Sequence, residues 1–269
     1  MQEMTLDTLF AQGQIRLAEI SVFNWGSFQG LHSAKIDPEG TLITGDNGAG
    51  KSTFIDGLMA LLQPAGKASF NVAAAQNDRS DRSLLSYMRG SYGSEHDGSS
   101  TKVKSKREKA VTTALRALYC AEDGSQITLI GLFWIGQGKN TLSDVNRLYM
   151  IASRDVPLTE VLDSFADANT RQFKQKFNPK VDARIHYCYS DFGDYQDLYR
   201  QYLYMDNPNA PALLSRALGL KKIDDLTKLI RELVLEPSHL RETAQTAVNE
   251  FVDLEATHNH LLDTREQVE

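Results

Sequence analysis

Ten consecutive residues carry the clearest chemistry in this sequence: "TGDNGAGKST", positions 44–53, where Gly45 is followed after four residues by Gly50, Lys51 and Ser52. G-x-x-x-x-G-K-[ST] is the spacing of a phosphate-binding loop. Glycines at 45, 48 and 50 let the backbone curl until successive N–H groups converge on a β-phosphate, and a helix starting behind them turns its positive end to the same anion. Lys51 adds a point charge on the β- and γ-oxygens and is the candidate catalytic cation. Ser52 offers a hydroxyl to Mg2+, and Thr53 is placed for the α-phosphate. The candidate nucleotide-binding set is Gly45, Asn47, Gly48, Ala49, Gly50, Lys51, Ser52 and Thr53.

Hydrolysis needs a second half-site: an acidic residue ending another strand to help hold Mg2+, and a carboxylate or glutamine to orient the attacking water. No run of four apolar residues followed by Asp-Glu occurs; "YCYSDF" (187–192) and "LYCAED" (118–123) are poor substitutes. "LLSRALG" (213–219) lacks the glycines with which a signature loop approaches a γ-phosphate. The sequence holds one half of an ATPase site.

The elements that must position the loop follow from periodicity. "IRLAEISVFNWGSFQG" (15–30) reads as a strand and hairpin, and 33–47 as two short extended pieces with a turn at Pro38 to Gly40, the second, "TLIT", running into the glycine loop. Phe54, Ile55, Leu58, Met59, Leu61 and Leu62 then recur at helical spacing, with Pro64 and Gly66 at the exit. Strand, loop and helix thus come in the order a phosphate loop requires. The stretch from Ala65 to about Lys109 turns small and polar, and 90–109 reads as a long, mobile surface loop. Strands resume over 110–136 and 146–153, with turns at Asp123-Gly124 and Gly136 to Gly138, predicting an antiparallel set. Beyond Asp155 the pattern predicts helices at 158–177, 194–205, 210–218 and 223–235, interrupted by a strand at 183–190.

At the end of the chain Leu240, Ala244, Ala247, Phe251, Leu254, His258, Leu261, Arg265 and Val268 are spaced alternately by four and three, with apolar residues at seven of the nine positions. That is a heptad seam, and it calls for a partner helix. The organisation expected is a phosphate-loop lobe at 1–154 and a mainly helical part at 155–239, together one head segment over 1–239, then the start of a coiled-coil arm at 240–269.

The remaining composition narrows the class. With 269 residues, 41% apolar and 24% charged, the chain can bury a sizeable core in one or two domains. A formal charge of -6 means that nucleic-acid contact must come from a local patch or a partner. Cys120 and Cys188 are far apart and form no zinc or disulfide pattern. The longest strongly apolar run, 127–136, is too short to span a bilayer as a helix, so a cytoplasmic protein with no membrane or targeting segment is expected.

"NWGSF" (24–28) ahead of "LITGDNGAGKST" (42–53), with a coiled coil starting some two hundred residues later, resembles the N-terminal head segment of SMC-type chromosome-structuring ATPases. The G-x-N-G-x-G-K-S-T form is shared with ABC-type ATPases. Trp25, "SDRSLLSYMRG" (80–90) and "FVDLEATHNHLLDTREQ" (251–267) resemble the MukB/MksB/JetC branch, most of all the JetC family of Wadjet anti-plasmid systems. The resemblance implies an α/β fold: an ABC/SMC-type P-loop NTPase half-head with a mixed β-sheet, a helical subdomain and the root of a coiled coil. It implies ATP and Mg2+ as cofactors, and a Walker B strand and signature loop in a C-terminal head segment of the same protein. It further implies a second head in a homodimer, kleisin-type and accessory subunits, double-stranded DNA, and in Wadjet a separate nuclease subunit. ATP-driven head engagement would power DNA loop extrusion near the nucleoid. MksB-like condensins and SbcC-like DNA-repair ATPases are the alternatives within that mechanism. A complete small P-loop kinase or GTPase, or a nonhydrolysing nucleotide-gated module, stands outside it.

Further candidates are weaker in type and spacing. ABC-type heads sense Mg2+ through a glutamine after the phosphate-loop helix, for which Gln137 and Gln126 are both conceivable. Arg79 and Arg82 could approach nucleotide or DNA. Lys102, Lys104, Lys106, Arg107 and Lys109 put five cations in eight positions, enough to contact several DNA phosphates if they are not simply solvated. The tyrosines of 187–204 suggest a packed helical lobe rather than a stacking platform.

Overall fold

Residues of β-strands buried on both sides set the architecture. The computed structural model describes residues 15–64, 83–97, 100–207, 210–211, 248–249 and 251. Two units divide the chain, Met1–Leu220 and Lys221–Glu269, and every element named below belongs to the first. Its elements are β1 (Ile15–Phe23), β2 (Leu31–Lys35), α1 (Lys51–Leu62), α2 (Leu84–Arg89), β3 (Ser91–Asp97), β4 (Ser100–Ser105), β5 (Val111–Ala121), β6 (Gln126–Ile135), β7 (Asn146–Ala152), α3 (Leu158–Ser164), α4 (Thr170–Lys176), β8 (Ile185–Tyr189) and α5 (Phe192–Tyr202).

Six strands form one sheet in the order β2-β1-β5-β6-β7-β8, and each neighbouring pair is antiparallel. The SMC resemblance implies a mixed sheet; the described strands are instead antiparallel throughout. Alternation along the central strands sends residues to two cores. Leu115 and Ala117 of β5, Leu129 and Phe133 of β6, and Tyr149 and Ile151 of β7 join α1, α2 and α5 in the first. Ala114, Ile130, Leu132, Leu148 and Met150 meet α3 and α4 in the second. A sheet covered on both faces reads as nearly continuous apolar text, which is why 127–136 is so hydrophobic.

Three expectations change. First, "TLIT" is not a strand of the sheet: residues 41–46 belong to no strand or helix, and Leu42 is 87% exposed. No described strand runs beside it to take its N–H and C=O groups, and without a partner extended text stays a loop. The turn before it does form, with the Gly40 N–H donating to Asp37 O at 3.1 Å. Second, 90–109 is not a plain loop but contains the β3–β4 hairpin, registered Glu95↔Lys102 and Asp97↔Ser100. Gly-Ser at 98–99, the two positions between the paired Asp97 and Ser100, is a hairpin signal even in polar text. Third, the helix predicted over 158–177 is two short helices, broken where Ala168 takes φ +55 and Asn169 accepts a hydrogen bond from the Gln172 amide to start α4. The helices at 223–235, all but the first two positions of 210–218, Arg79, Arg82 and nearly all of the heptad seam lie outside the described residues; positions 248, 249 and 251 are helical.

Candidate phosphate-binding site

The glycine loop leads directly into α1. Gly50 stands at the helix N-cap with φ +97, and Gly45 and Gly48 have φ +149 and +85, a backbone course that residues with a Cβ adopt only under strain. α1 closes its first turn with Phe54 N–H donating to Gly50 O at 2.9 Å. It has no side-chain cap and no acidic residue in that turn. Its N-terminal amides and positive dipole end are therefore left for an anion from outside the helix. Lys51 folds over the loop, its Nζ donating to Gly45 O at 2.6 Å and Asp46 O at 2.8 Å. Asn47 and Ala49 lie in the exposed turn of the loop, and the Ala49 amide donates to Asp46 O at 3.2 Å. Ser52 is exposed beside Lys51. The candidate positions thus converge on one helix end.

What holds the loop is the segment 24–30, joining β1 to β2. Trp25 is fully buried and its indole N–H donates to Thr53 O at 2.7 Å. A Cβ on Gly26 would lie 2.3 Å from Thr53 Cγ2, and one on Gly50 would lie 2.9 Å from both Phe28 Cζ and Ser27 Oγ. Two chain segments touch there through glycines that leave the needed space. Trp25 stacks on Tyr87 of α2, ring centroids 4.6 Å apart at 21°. Tyr87 in turn donates its hydroxyl to Asp56 of α1 at 2.5 Å. α2 is itself fixed by a capping box between Ser83 and Ser86.

Two arginines lock this assembly. Arg107 is 9% exposed; its guanidinium donates to Met88 O at 2.7 Å, Gly26 O at 2.9 Å, Tyr87 O at 3.0 Å, Gln29 Oε1 at 3.1 Å and Phe28 O at 3.3 Å. Arg89 donates to the carbonyls of Arg107, Lys109 and Lys139. Burial lowers the pKa of both guanidiniums from the ordinary arginine value. Arg107 is therefore withdrawn from the cation run that reads, in sequence, as a DNA contact: it is a strut between the 24–30 segment and α2. The available signal is that it is the one arginine among lysines, since a planar fork suits several carbonyls at once.

Gln137 lies exposed in the turn after β6, where the Lys139 amide donates to Gly136 O at 3.5 Å. Because Arg89 reaches Lys139 O at 2.7 Å, this turn is at the same end of the sheet as the glycine loop's support. Gln126 pairs opposite Cys120 at the other end of β6. Of the two glutamines, Gln137 is the one on the loop's side. Among the described residues no group of three or more His, Cys, Asp or Glu gathers as a metal site, and no helix is long and apolar enough to cross a membrane.

A protein-family model described as the P-loop containing region of AAA domain matches residues 17–77. That span takes in most of β1, all of β2, the glycine loop and α1. Comparison with curated proteins gave no match. The class that the matched region, the α/β fold and the loop geometry support is a P-loop NTPase domain, with nucleotide binding the function such a region suggests.

Proposed function

We propose that this chain is the N-terminal head segment of an SMC-like ATPase of the JetC type, acting with a C-terminal segment of the same protein and with a second head. What carries the reading is the contrast at the loop. A positive, uncapped helix end with Lys51 folded over it is built for polyphosphate, while the apolar approach segment Leu42-Ile43 stands 87% and 37% exposed. Exposed β-type text entering a phosphate loop is what remains when the neighbouring strand belongs to another segment. In this reading Gly45 to Thr53 present backbone amides to ATP, Lys51 neutralises the β- and γ-oxygens, and Ser52 holds Mg2+, which offsets phosphate charge when bound. Coupling to double-stranded DNA, kleisin-type subunits and a nuclease, with loop extrusion in plasmid defence, is part of the same proposal and rests on the sequence resemblance.

The test is turnover with and without the second segment. The isolated chain is expected to bind ATP weakly and to hydrolyse it negligibly, with hydrolysis restored when the C-terminal segment is supplied. Lys51→Ala should abolish turnover of the assembled heads and leave the melting temperature within about 2 °C, since the lysine caps nothing in the core. Robust hydrolysis by the isolated chain would instead favour a self-contained kinase or GTPase.

A further inference from the structure

Lys106 belongs, by sequence, to the cation run of 102–109, yet the fold separates it from that run. Arg107 turns inward as described. Lys106, its backbone amide donating to Gly90 O at 3.3 Å, sends its exposed ammonium to Ser27 O at 3.1 Å. Ser27 is the residue whose hydroxyl approaches the Cβ position of Gly50 at 2.9 Å. A cation remote from Lys51 in sequence is thereby delivered to within one residue of the same helix end. Lys106 also lines an open cleft of about 490 Å³ with Asn24, Gln29, Glu108 and Lys109, and the cleft shares the 24–30 wall with the glycine loop.

Charge balance gives this placement a consequence. A fully ionised nucleoside triphosphate brings about four negative charges, of which bound Mg2+ would offset two, Lys51 one and the helix end about half of another, so some charge is still unmatched, and more where the ligand comes without the metal. Lys106 is engaged by a single exposed carbonyl and keeps two of its three N–H donors, on a flexible stem that can swing. We propose that Lys106 is a second phosphate-binding cation, which engages the polyphosphate held on the glycine loop from the side of the 24–30 segment. The proposal rests on the loop being a polyphosphate site, and the experiment keeps the two apart.

The whole chain, in a Trp134→Phe background that leaves Trp25 as its single tryptophan, would be titrated with Mg-ATP and separately with inorganic tripolyphosphate, followed through the fluorescence of Trp25, which is bonded to the loop's helix at Thr53. Lys106→Ala should weaken both ligands about three- to five-fold, Lys106→Arg should restore most of that loss, and Lys109→Ala should change neither. Adenosine binding, where measurable, should be indifferent to Lys106. Unchanged binding of both ligands by Lys106→Ala, alongside a clear loss with Lys51→Ala, overturns the role of Lys106 and leaves the loop reading intact. Equal weakening by Lys109→Ala also overturns it, as a diffuse charge effect. Full binding by Lys51→Ala would remove the loop reading and this inference with it. A melting curve of Lys106→Ala matching the parent excludes misfolding, as an exposed side chain should allow.

Discussion

A methyl group on Gly26 would meet Thr53 Cγ2 at 2.3 Å on a backbone already at φ +53. Neither neighbour can retreat cheaply. Thr53 is fixed by the Trp25 indole, and Gly26 by its own N–H donating to Tyr87 O at 2.7 Å and its carbonyl accepting from Arg107 at 2.9 Å. Gly26→Ala is expected to cost about 1–3 kcal/mol in urea denaturation, the range for a side chain forced into left-handed backbone. Because Thr53 sits in the first turn of α1, the same change should weaken polyphosphate binding although residue 26 is outside the glycine motif. Gly48→Ala has no such clash, as nothing lies within 4 Å of a Cβ there, and should show only the strain of its φ of +85. Comparing the two separates contact from backbone conformation. "GxxxxGK" is visible in the sequence, but the need for glycine at 26 is not, since it arises from contact with a residue distant in the chain.

At the scale of elements, α1 is held along its length by aromatic donors from other segments. Trp25 serves its first turn, Tyr87 its middle at Asp56, and Tyr199 of α5 its last carbonyls, donating to Leu62 O at 2.7 Å. Gln63 just past the helix donates to Pro211 O at 2.7 Å. Tyr87→Phe keeps the stack on Trp25 but removes a hydroxyl from a carboxylate that is only 6% exposed. It should cost about 1.5–3 kcal/mol, the range for losing one hydrogen bond to a charged group. Tyr199→Phe, which affects a neutral carbonyl, should cost nearer 1 kcal/mol. Paired denaturation curves of the two variants check the order. α1 and β5 to β7 are legible in the sequence because long apolar runs and clean periodicity reflect burial on one or two faces. The β3–β4 hairpin escapes a reading by periodicity because its strands are polar and small, so only the Gly-Ser pair at 98–99 marks it. The break at Ala168 escapes it because apolar periodicity continues across it, and local capping by Asn169 decides the matter.

For the whole molecule, the informative residues are those the described fold leaves outside. Leu42 and Ile43 connect the β2 edge to the phosphate loop, and Leu42 at 87% exposure contributes almost nothing to the chain's own core. "TLIT" reads as a strand because β-branched and apolar residues fit a pleated surface, and that propensity is realised only against a neighbouring strand. Leu42→Lys should therefore leave the isolated chain as stable as the parent, within about 0.5 kcal/mol, as for surface substitutions elsewhere. If a strand from a C-terminal head segment is what covers this stretch, the same substitution buries an unpaired ammonium in the joined head, which is strongly unfavourable. The expected result is a loss of association between the two segments, measured by co-purification or titration calorimetry, and a parallel loss of the ATP turnover that association restores. Both losses should appear with unaltered polyphosphate binding by the isolated chain, because Lys51 and the α1 amides are untouched. A chain weakened by Leu42→Lys in isolation would place that leucine in its own core, and equal association of parent and variant would separate the approach segment from the partner's seat.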